Sequence, residues 1–298
     1  MPNIEDSNPK EFRNIGCDTI KNTSRPKLEI SMDYLTNTTQ GGLSMSGKKC
    51  GYEKVNGLDM YYEIHGSGKP LILLHGQFAT ASMFDPILPE LALHRQVVLI
   101  EQQGHGHTAD INRPLSFAQM GRDTAELVSQ LGITEADVFG YSAGGTVALH
   151  LAKSNPHLVR KLALASTIYS MDGYFPYIVE GIKHASAESF PLQMKQEYER
   201  VAPHPDNWSK LIAKGAEMAN NPNTEDFLEP TQLQQITAPV LLVNGDRDII
   251  RPEYANEMAK LLHTKLFIVA GDHVSYISTQ PQILLDHLIK FFELSHNQ

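Results

Sequence analysis

The sequence Asp137-Val-Phe-Gly-Tyr-Ser-Ala-Gly144 joins an apolar run to a stretch of helix-forming residues. Asp137–Tyr141 has the length and composition of a buried strand, and Ala143–Asn155 is predicted to be a helix that Pro156 stops. Ser142 therefore stands in the turn between the strand and the helix. A tight turn of this kind holds its serine in a strained backbone conformation and projects the hydroxyl above the sheet.

The glycines on either side of the serine fit the same interpretation. Gly140 and Gly144 leave space where a Cβ atom would collide with neighbouring backbone. The amide of Ala143 would lie at the positive end of the helix, where it can stabilise an oxyanion. The alternative is a Gly/Ser-rich turn into a helix that binds a phosphate.

A histidine near the end of the chain is the predicted base. Serine is a weak nucleophile at neutral pH and needs an adjacent base. His273 follows the strand predicted over Lys265–Ala270, so it would lie at the carboxyl edge of the sheet together with Ser142. The chain has 13 histidines, and most of the others are interpreted as structural or exposed residues.

The base in turn needs a carboxylate to orient it. Asp246 and Asp248 both follow the strand predicted over Pro239–Asn244. We prefer Asp248, because Asp246 is expected to stabilise the turn through local hydrogen bonds. Asp172, which follows an earlier strand, is the third option. The order serine, aspartate, histidine along the chain is the one expected for a nucleophile elbow of this type.

A second oxyanion donor is expected in the loop after an earlier strand. Pro70–Leu74 is a strand-like run that leads into His75-Gly76-Gln77, and the amide of Gln77 is the candidate. His75 is interpreted as a residue that braces this loop. The pair His105 and His107 has the spacing of metal ligands, but no third ligand is evident, so a structural loop is the preferred interpretation.

Other short apolar runs alternate with helical patterns along the chain. Gln96–Ile100 and Leu162–Ser166 have the length of strands covered on both faces. Ser116 and Gln119 are spaced as a capping box at the start of a helix. The alternation predicts an α/β fold with a mostly parallel sheet and right-handed crossovers.

Two segments fall outside this alternation. Residues 1–50 are polar and are interpreted as a poorly ordered N-terminal extension. Residues 170–236 carry no strand pattern but many aromatic residues and methionines, which predicts a helical insertion between two core strands. The core would then consist of residues 51–169 and 237–298.

Composition limits the classes of partner. Lys and Arg number 25 against 34 Asp and Glu, a net charge of −9, which argues against sequence-independent binding to nucleic acid. No apolar run approaches the roughly 20 residues of a membrane span. Cys17 and Cys50 are interpreted as unpaired thiols of a cytoplasmic protein, with a single bridge as the alternative for an exported one. The expected partner is a small-molecule substrate. No metal or organic cofactor is implied, and a homodimer is left open.

From about residue 52 to residue 294 the chain resembles the α/β-hydrolase superfamily. The resemblance rests on Tyr62–Gly68, His75–Gln77, Gly104–Gly106, Gly140–Gly144, Gly245–Asp248 and Gly271–His273. It implies a mostly parallel sheet of the eight-stranded type, flanked by helices, with a helical cap matching residues 170–236. It also implies a Ser142 nucleophile, a His273 base, an Asp248 acid and an oxyanion hole from Gln77 and Ala143.

One departure from the family pattern, and the identity of the nucleophile, bear on the subfamily. Many members carry Asp-x-Arg-Gly-x-Gly-x-Ser where this chain has Glu101-Gln-Gln-Gly-His-Gly-His-Thr108, which keeps the glycines and changes the charged pair. A serine at position 142 argues against the dehalogenase and epoxide-hydrolase branches, which form an ester on a carboxylate.

The sequence thus predicts a serine hydrolase that cleaves a carboxylic ester of a small, largely apolar substrate through an acyl-enzyme. The residues predicted to bind the substrate are Phe78, Tyr141, Tyr174, Phe175, Trp208 and Val274. The same residues would also serve carbon–carbon bond hydrolysis, perhydrolysis or acyl transfer. A small-molecule receptor that turns over slowly is the alternative from a different class.

Overall fold

The computed structural model describes residues 48–294, whose central element is an eight-stranded sheet in the order β1-β2-β4-β3-β5-β6-β7-β8. The strands are β1 Lys49–Val55, β2 Leu58–His65, β3 Pro70–Leu74, β4 Gln96–Ile100, β5 Ala136–Tyr141, β6 Val159–Ala165, β7 Val240–Arg247 and β8 Leu266–Asp272. β1 and β2 are antiparallel to each other, as are β2 and β4, and the remaining pairs are parallel. The predicted α/β class and mostly parallel sheet are confirmed.

Helices cover both faces of the sheet. They are α1 Leu88–His94, α2 Phe117–Gln130, α3 Ala143–Ser154, α4 Pro176–Lys183, α5 Leu192–Val201, α6 Trp208–Asn220, α7 Pro230–Leu233, α8 Pro252–Leu261, α9 Ser275–Ser278 and α10 Pro281–Phe292. Side chains of β3 alternate between the faces, as the period of a strand requires. Ile72 and Leu74 join the core cluster that contains α2 and α3, whereas Leu71 and Leu73 join the cluster that contains α1 and α10.

The strand register brings the functional loops to one edge of the sheet. Leu74 is paired with Gly140, and Tyr141 with Ala165, so β3, β5 and β6 end side by side. Ala165 is paired in turn with Val243 of β7. The loops that follow these strands therefore meet at the carboxyl edge, where ligands of open α/β sheets bind.

Residues 170–236, which make up most of the connection between β6 and β7, contain α4, α5, α6 and α7 together with short 3-10 turns. Backbone contacts fasten the beginning of this segment to the loop after β7. Tyr174 forms an isolated bridge with Ile250, and the amide of Arg251 donates to the carbonyl of Gly173 at 2.8 Å. We call this segment the β6–β7 insertion.

Several local expectations differ from the structure. β1 begins at Lys49, inside the segment assigned to the N-terminal extension, because it pairs with β2 along its whole length. Residues 1–47 of that extension lie outside the described residues. The Ser116 hydroxyl accepts from the Gln119 amide as predicted, but the Gln119 side chain donates to Asp123 at 2.8 Å, so the reciprocal half of the capping box is missing.

Cys50 is disulfide-bonded in the structure, so its interpretation as an unpaired thiol is wrong, and Cys17 lies outside the described residues. Within residues 48–294, no helix has the length and apolar character needed to cross a membrane.

Candidate active site

Ser142 occupies a sharp turn between β5 and α3. Its backbone angles are φ 53° and ψ −121°, a conformation that side-chain-bearing residues rarely adopt. Gly144 makes the turn feasible, because a Cβ at that position would lie 2.1 Å from the carbonyl oxygen of Leu74. A Cβ on Gly140 would lie 2.5 Å from the carbonyl oxygen of Gly144. Each glycine is therefore required by a close backbone approach.

Three side chains from distant parts of the chain form a hydrogen-bonded series at this edge. The Ser142 Oγ lies 3.0 Å from Nε2 of His273. The Nδ1 of the same imidazole lies 2.8 Å from Oδ1 of Asp248. An ionised carboxylate can only accept, so Nδ1 carries the proton and Nε2 is left to accept from the serine hydroxyl. This arrangement suits the removal of a proton from Ser142.

Asp248 is held as a carboxylate by donors on its second oxygen. Its side chain is 2% exposed, and Oδ2 accepts from the Ser166 hydroxyl and from the Gly245 amide at 3.2 Å. Burial opposes ionisation, but the hydrogen bonds from His273, Ser166 and Gly245 together lower the pKa of Asp248 below its ordinary value. The group opposite Nδ1 is thus negatively charged at neutral pH.

The two other acidic candidates lie elsewhere. Asp246 accepts from the Gly271 amide at 2.8 Å and forms an exposed ion pair with Arg247. Asp172 is exposed, and its carbonyl oxygen accepts from the Arg251 side chain at 2.8 Å. Asp248 is the carboxylate that contacts His273.

The loop after β3 lies against the serine. A Cβ on Gly76 would lie 3.5 Å from Cβ of Ser142, so this backbone passes directly beside the turn. Within residues 48–294, neither the amide of Gln77 nor that of Ala143 donates a hydrogen bond. Both donors are therefore available to an oxygen of a bound substrate.

His75 holds the same loop in place. Its Nε2 accepts from the Gln102 amide at 3.0 Å, so Nδ1 carries the proton that is donated to the Gly76 carbonyl at 2.9 Å. Burial lowers the pKa of His75, which keeps the ring neutral.

A cavity of about 510 Å³ lies above Ser142 and His273. Its wall is almost entirely apolar and includes four of the predicted substrate-binding residues, Phe78, Tyr141, Tyr174 and Val274. Val274 is 56% exposed, which places it at the rim. The cavity has the size and lining of a small-molecule site.

Phe175 and Trp208 do not lie on the cavity wall. Phe175 is half-buried and stacks on Tyr177, with ring centroids 5.7 Å apart. Trp208 is fully buried at the start of α6, where it packs behind Phe78 and Phe190 at 6.3 and 6.2 Å. Trp208 therefore supports wall residues without lining the cavity itself.

Several wall residues were not singled out from the sequence. They share large apolar side chains and come from the β6–β7 insertion, from α2 and from the loops after β3 and β7: Met83, Phe117, Phe190, Met194, Met218, Phe227 and Ile249. The only sequence signal for them was the aromatic and methionine content of the insertion. Ser166, which supports Asp248, was also missed.

The divergent loop 101–108 has structural contacts. The buried Glu101 carboxylate accepts from the Ala81 amide at 2.9 Å and from the His107 amide at 2.6 Å. His105 is buried and lies parallel to the ring of Phe78. No set of three or more histidine, cysteine or acidic side chains in the described part of the chain is arranged to hold a metal ion.

Comparisons with known proteins identify the family and the fold. A family model described as alpha/beta hydrolase fold matches residues 69–279. A proposed carbamate hydrolase, RutD, from Azorhizobium caulinodans is 29% identical over 219 residues, which cover 67% of this chain and 81% of that protein. A pimeloyl-[acyl-carrier protein] methyl ester esterase from Xylella fastidiosa is 26% identical over 259 residues, which cover 77% of this chain and 98% of that protein.

Among solved structures, a serine hydrolase involved in carbazole degradation, the CarC enzyme, superposes with a TM-score of 0.68 at 20% identity. The superposition covers 84% of this chain and 100% of that one, which shows that the two share a fold.

Proposed function

This chain belongs to the alpha/beta hydrolase fold family, and we propose that it cleaves a carboxylic ester of a small, largely apolar substrate through an acyl-enzyme. The observation that carries the proposal is the series Ser142, His273 and Asp248, with separations of 3.0 and 2.8 Å, at the base of an apolar cavity. A buried carboxylate, an imidazole in one tautomer and a hydroxyl that faces the cavity from a strained turn are the parts of an activated serine nucleophile.

In the proposed acylation step, Ser142 Oγ attacks the ester carbonyl carbon while its proton passes to Nε2 of His273. The negative charge of Asp248 stabilises the imidazolium that forms. The carbonyl oxygen becomes an oxyanion and accepts from the amides of Gln77 and Ala143, where the loss of one such donor typically costs about 3 kcal/mol. The intermediate then collapses: the carbon–oxygen bond to the alcohol breaks, and His273 gives its proton to the leaving oxygen.

In the proposed deacylation step, water takes the place of the alcohol. His273 removes a proton from the water, whose oxygen attacks the acyl carbon, and the same two amides hold the second oxyanion. When this intermediate collapses, the bond to Ser142 Oγ breaks and His273 returns the proton to the serine. The products are an alcohol and a carboxylic acid, and the enzyme is regenerated.

The lining of the cavity supports an apolar acyl or aryl group in the substrate. Met194 and Phe190 of the β6–β7 insertion face the same cavity as Ser142, and we infer that the insertion acts as a cap over the reacting centre. Burying one methylene group contributes about 0.8 kcal/mol, or roughly fourfold in affinity for the transition state.

The test is a chain-length series of 4-nitrophenyl esters assayed with wild type, Ser142→Ala and Ser154→Ala. We expect kcat/KM to rise by about fourfold per methylene until the cavity is full. Ser142→Ala should lose turnover, whereas Ser154→Ala, a change at the exposed end of the same helix, should retain it. Equal rates for wild type and Ser142→Ala would exclude the proposed nucleophile. If the enzyme cleaved diketones or formed peracids in preference to hydrolysing esters, the proposed reaction would be wrong, but the assignment of the site residues would stand.

A further inference from the structure

One polar side chain of the cavity wall has no part in the steps above. Tyr174 lies on the wall with Ser142, at the start of the β6–β7 insertion. Its hydroxyl lies within hydrogen-bonding reach of the Ser142 hydroxyl, and that contact lowers the pKa of Tyr174 against the larger effects of burial and of Asp248. Tyr174 therefore presents an O–H donor directly beside the reacting serine, on the wall of the same cavity.

The backbone on both sides of Tyr174 is fastened to the loop that carries Asp248. Tyr174 forms a bridge with Ile250, and the Phe175 amide donates to the Ile249 carbonyl at 3.3 Å. The preceding residue, Gly173, accepts from the Arg251 amide at 2.8 Å. A donor held in this way keeps its position relative to the catalytic carboxylate, which is what preorganised stabilisation requires.

The order of strands separates the two ends of a bound ester. Gln77 follows β3 on one side of β5, whereas Tyr174, Asp248 and His273 follow β6, β7 and β8 on the other side. The alcohol oxygen must lie on the side of His273, because that imidazole gives it a proton as it leaves. Tyr174 thus lies on the side of the leaving group and away from the Gln77 amide.

We propose that Tyr174 is a further catalytic residue, whose hydroxyl donates a hydrogen bond to the alcohol oxygen of the ester as the carbon–oxygen bond breaks. The inference rests on the proposed ester hydrolysis. The phenol keeps its own proton, and the proton that the leaving oxygen receives still comes from His273. Burial and then the charge of Asp248 raise the pKa of Tyr174 to about 12, so the donor is protonated throughout the neutral range.

The test compares leaving groups at a fixed acyl group. Ethyl, phenyl and 4-nitrophenyl esters of one acid are assayed as kcat/KM, which reports the steps up to the acyl-enzyme. Alkoxide is a poor leaving group and needs the hydrogen bond, whereas 4-nitrophenolate leaves readily without it. We expect Tyr174→Phe to lower kcat/KM about tenfold for the ethyl ester, less for the phenyl ester, and within about twofold for the 4-nitrophenyl ester.

The matched control is Tyr169→Phe, which removes a buried hydroxyl from the same connection but outside the cavity, where it donates to Glu257 at 3.3 Å. This variant should keep the wild-type ratio between the esters. Ratios within one preparation do not depend on its folded fraction, so poor folding of a variant does not mimic the effect.

An equal loss for all three esters, or no loss for any, would overturn the role of Tyr174 and leave the proposed function standing. If the wild-type protein hydrolysed none of these esters, both the proposed function and the role of Tyr174 would be wrong.

Discussion

Replacing Ser142 by glycine should give a more stable protein than replacing it by alanine, although both variants lack the hydroxyl. The reason is the backbone at this position, with φ 53° and ψ −121°. The Ser142 amide donates to the Ala165 carbonyl at 2.8 Å, a bond that both variants keep. The comparison therefore isolates the conformational strain of the turn.

The size of the difference follows from two opposing contributions. A residue with a Cβ held in such a conformation is destabilised by about 1–3 kcal/mol, which glycine avoids. Glycine lowers the free energy of unfolding by about 0.5–1 kcal/mol relative to alanine, because the unfolded chain of the glycine variant has more conformational freedom. The glycine variant should therefore be about 1 kcal/mol more stable, which is about 2–4 °C in Tm for a domain of this size.

Denaturant unfolding of both variants measures this difference. Ser129 on the exposed face of α2 is the matched control, because a regular helix should give the opposite sign, with glycine about 0.5–1 kcal/mol less stable than alanine. A glycine variant at position 142 that is less stable than the alanine variant, as it is at position 129, would refute the strained turn.

Three further predictions address the site and the fold. Asp248→Asn should lower kcat by about 10⁴-fold without unfolding the protein, because an amide selects the wrong tautomer of His273, and a loss below tenfold in an esterase assay would contradict this role. Neighbouring donors outweigh the burial of Glu63 and lower its pKa to about 2. Glu63→Gln should therefore reduce the free energy of unfolding by about 2–3 kcal/mol at pH 7, where the carboxylate contributes fully. That deficit should vanish as the pH falls from about 4.5 to about 2, and a deficit independent of pH in urea titrations would exclude the charge as its cause. Gly215→Ala would place a Cβ 2.4 Å from Cζ of Phe78 and push that ring into the cavity, so kcat/KM for long acyl esters should fall more than for acetate, and a uniform change would contradict this position of the wall.

Strand boundaries were most predictable in the middle of the sheet. Pro70–Leu74 and Gln96–Ile100 match β3 and β4 to the residue, because these strands are buried on both faces and read as unbroken apolar runs. β7 and β8 extend beyond their predicted ends to Arg247 and Asp272. Their last residues, Arg247 and Asp272, are polar and pair through the backbone, so the apolar pattern does not predict them as strand residues.

The active site likewise has a part that the sequence predicts and a part that depends on tertiary packing. The turn at Ser142 and the loops that bring His273 and Asp248 to it follow from local sequence and from the shared edge of a parallel sheet. The cavity wall depends on how helices of the β6–β7 insertion are rotated against the core. Aromatic content alone does not show that Trp208 points inward behind Phe78, or that Phe175 turns toward Tyr177.

Hydrogen bonds between side chains that are distant in the sequence could not be predicted, for a similar reason. Ser166 supports Asp248 across 82 positions of the chain, and the pairing depends on β6 and β7 ending together. Gln119 has the right spacing for a capping box, yet the buried Asp123 offers its side chain a competing acceptor.

The most direct measurement of the proposed chemistry is covalent labelling by a fluorophosphonate, with the modified residue identified by peptide mass spectrometry. One adduct is expected, on Ser142, and its formation should be lost in Ser142→Ala and greatly slowed in Asp248→Asn. A wild-type protein that stays unlabelled while folded, or one labelled at another residue with Ser142 untouched, would contradict this assignment.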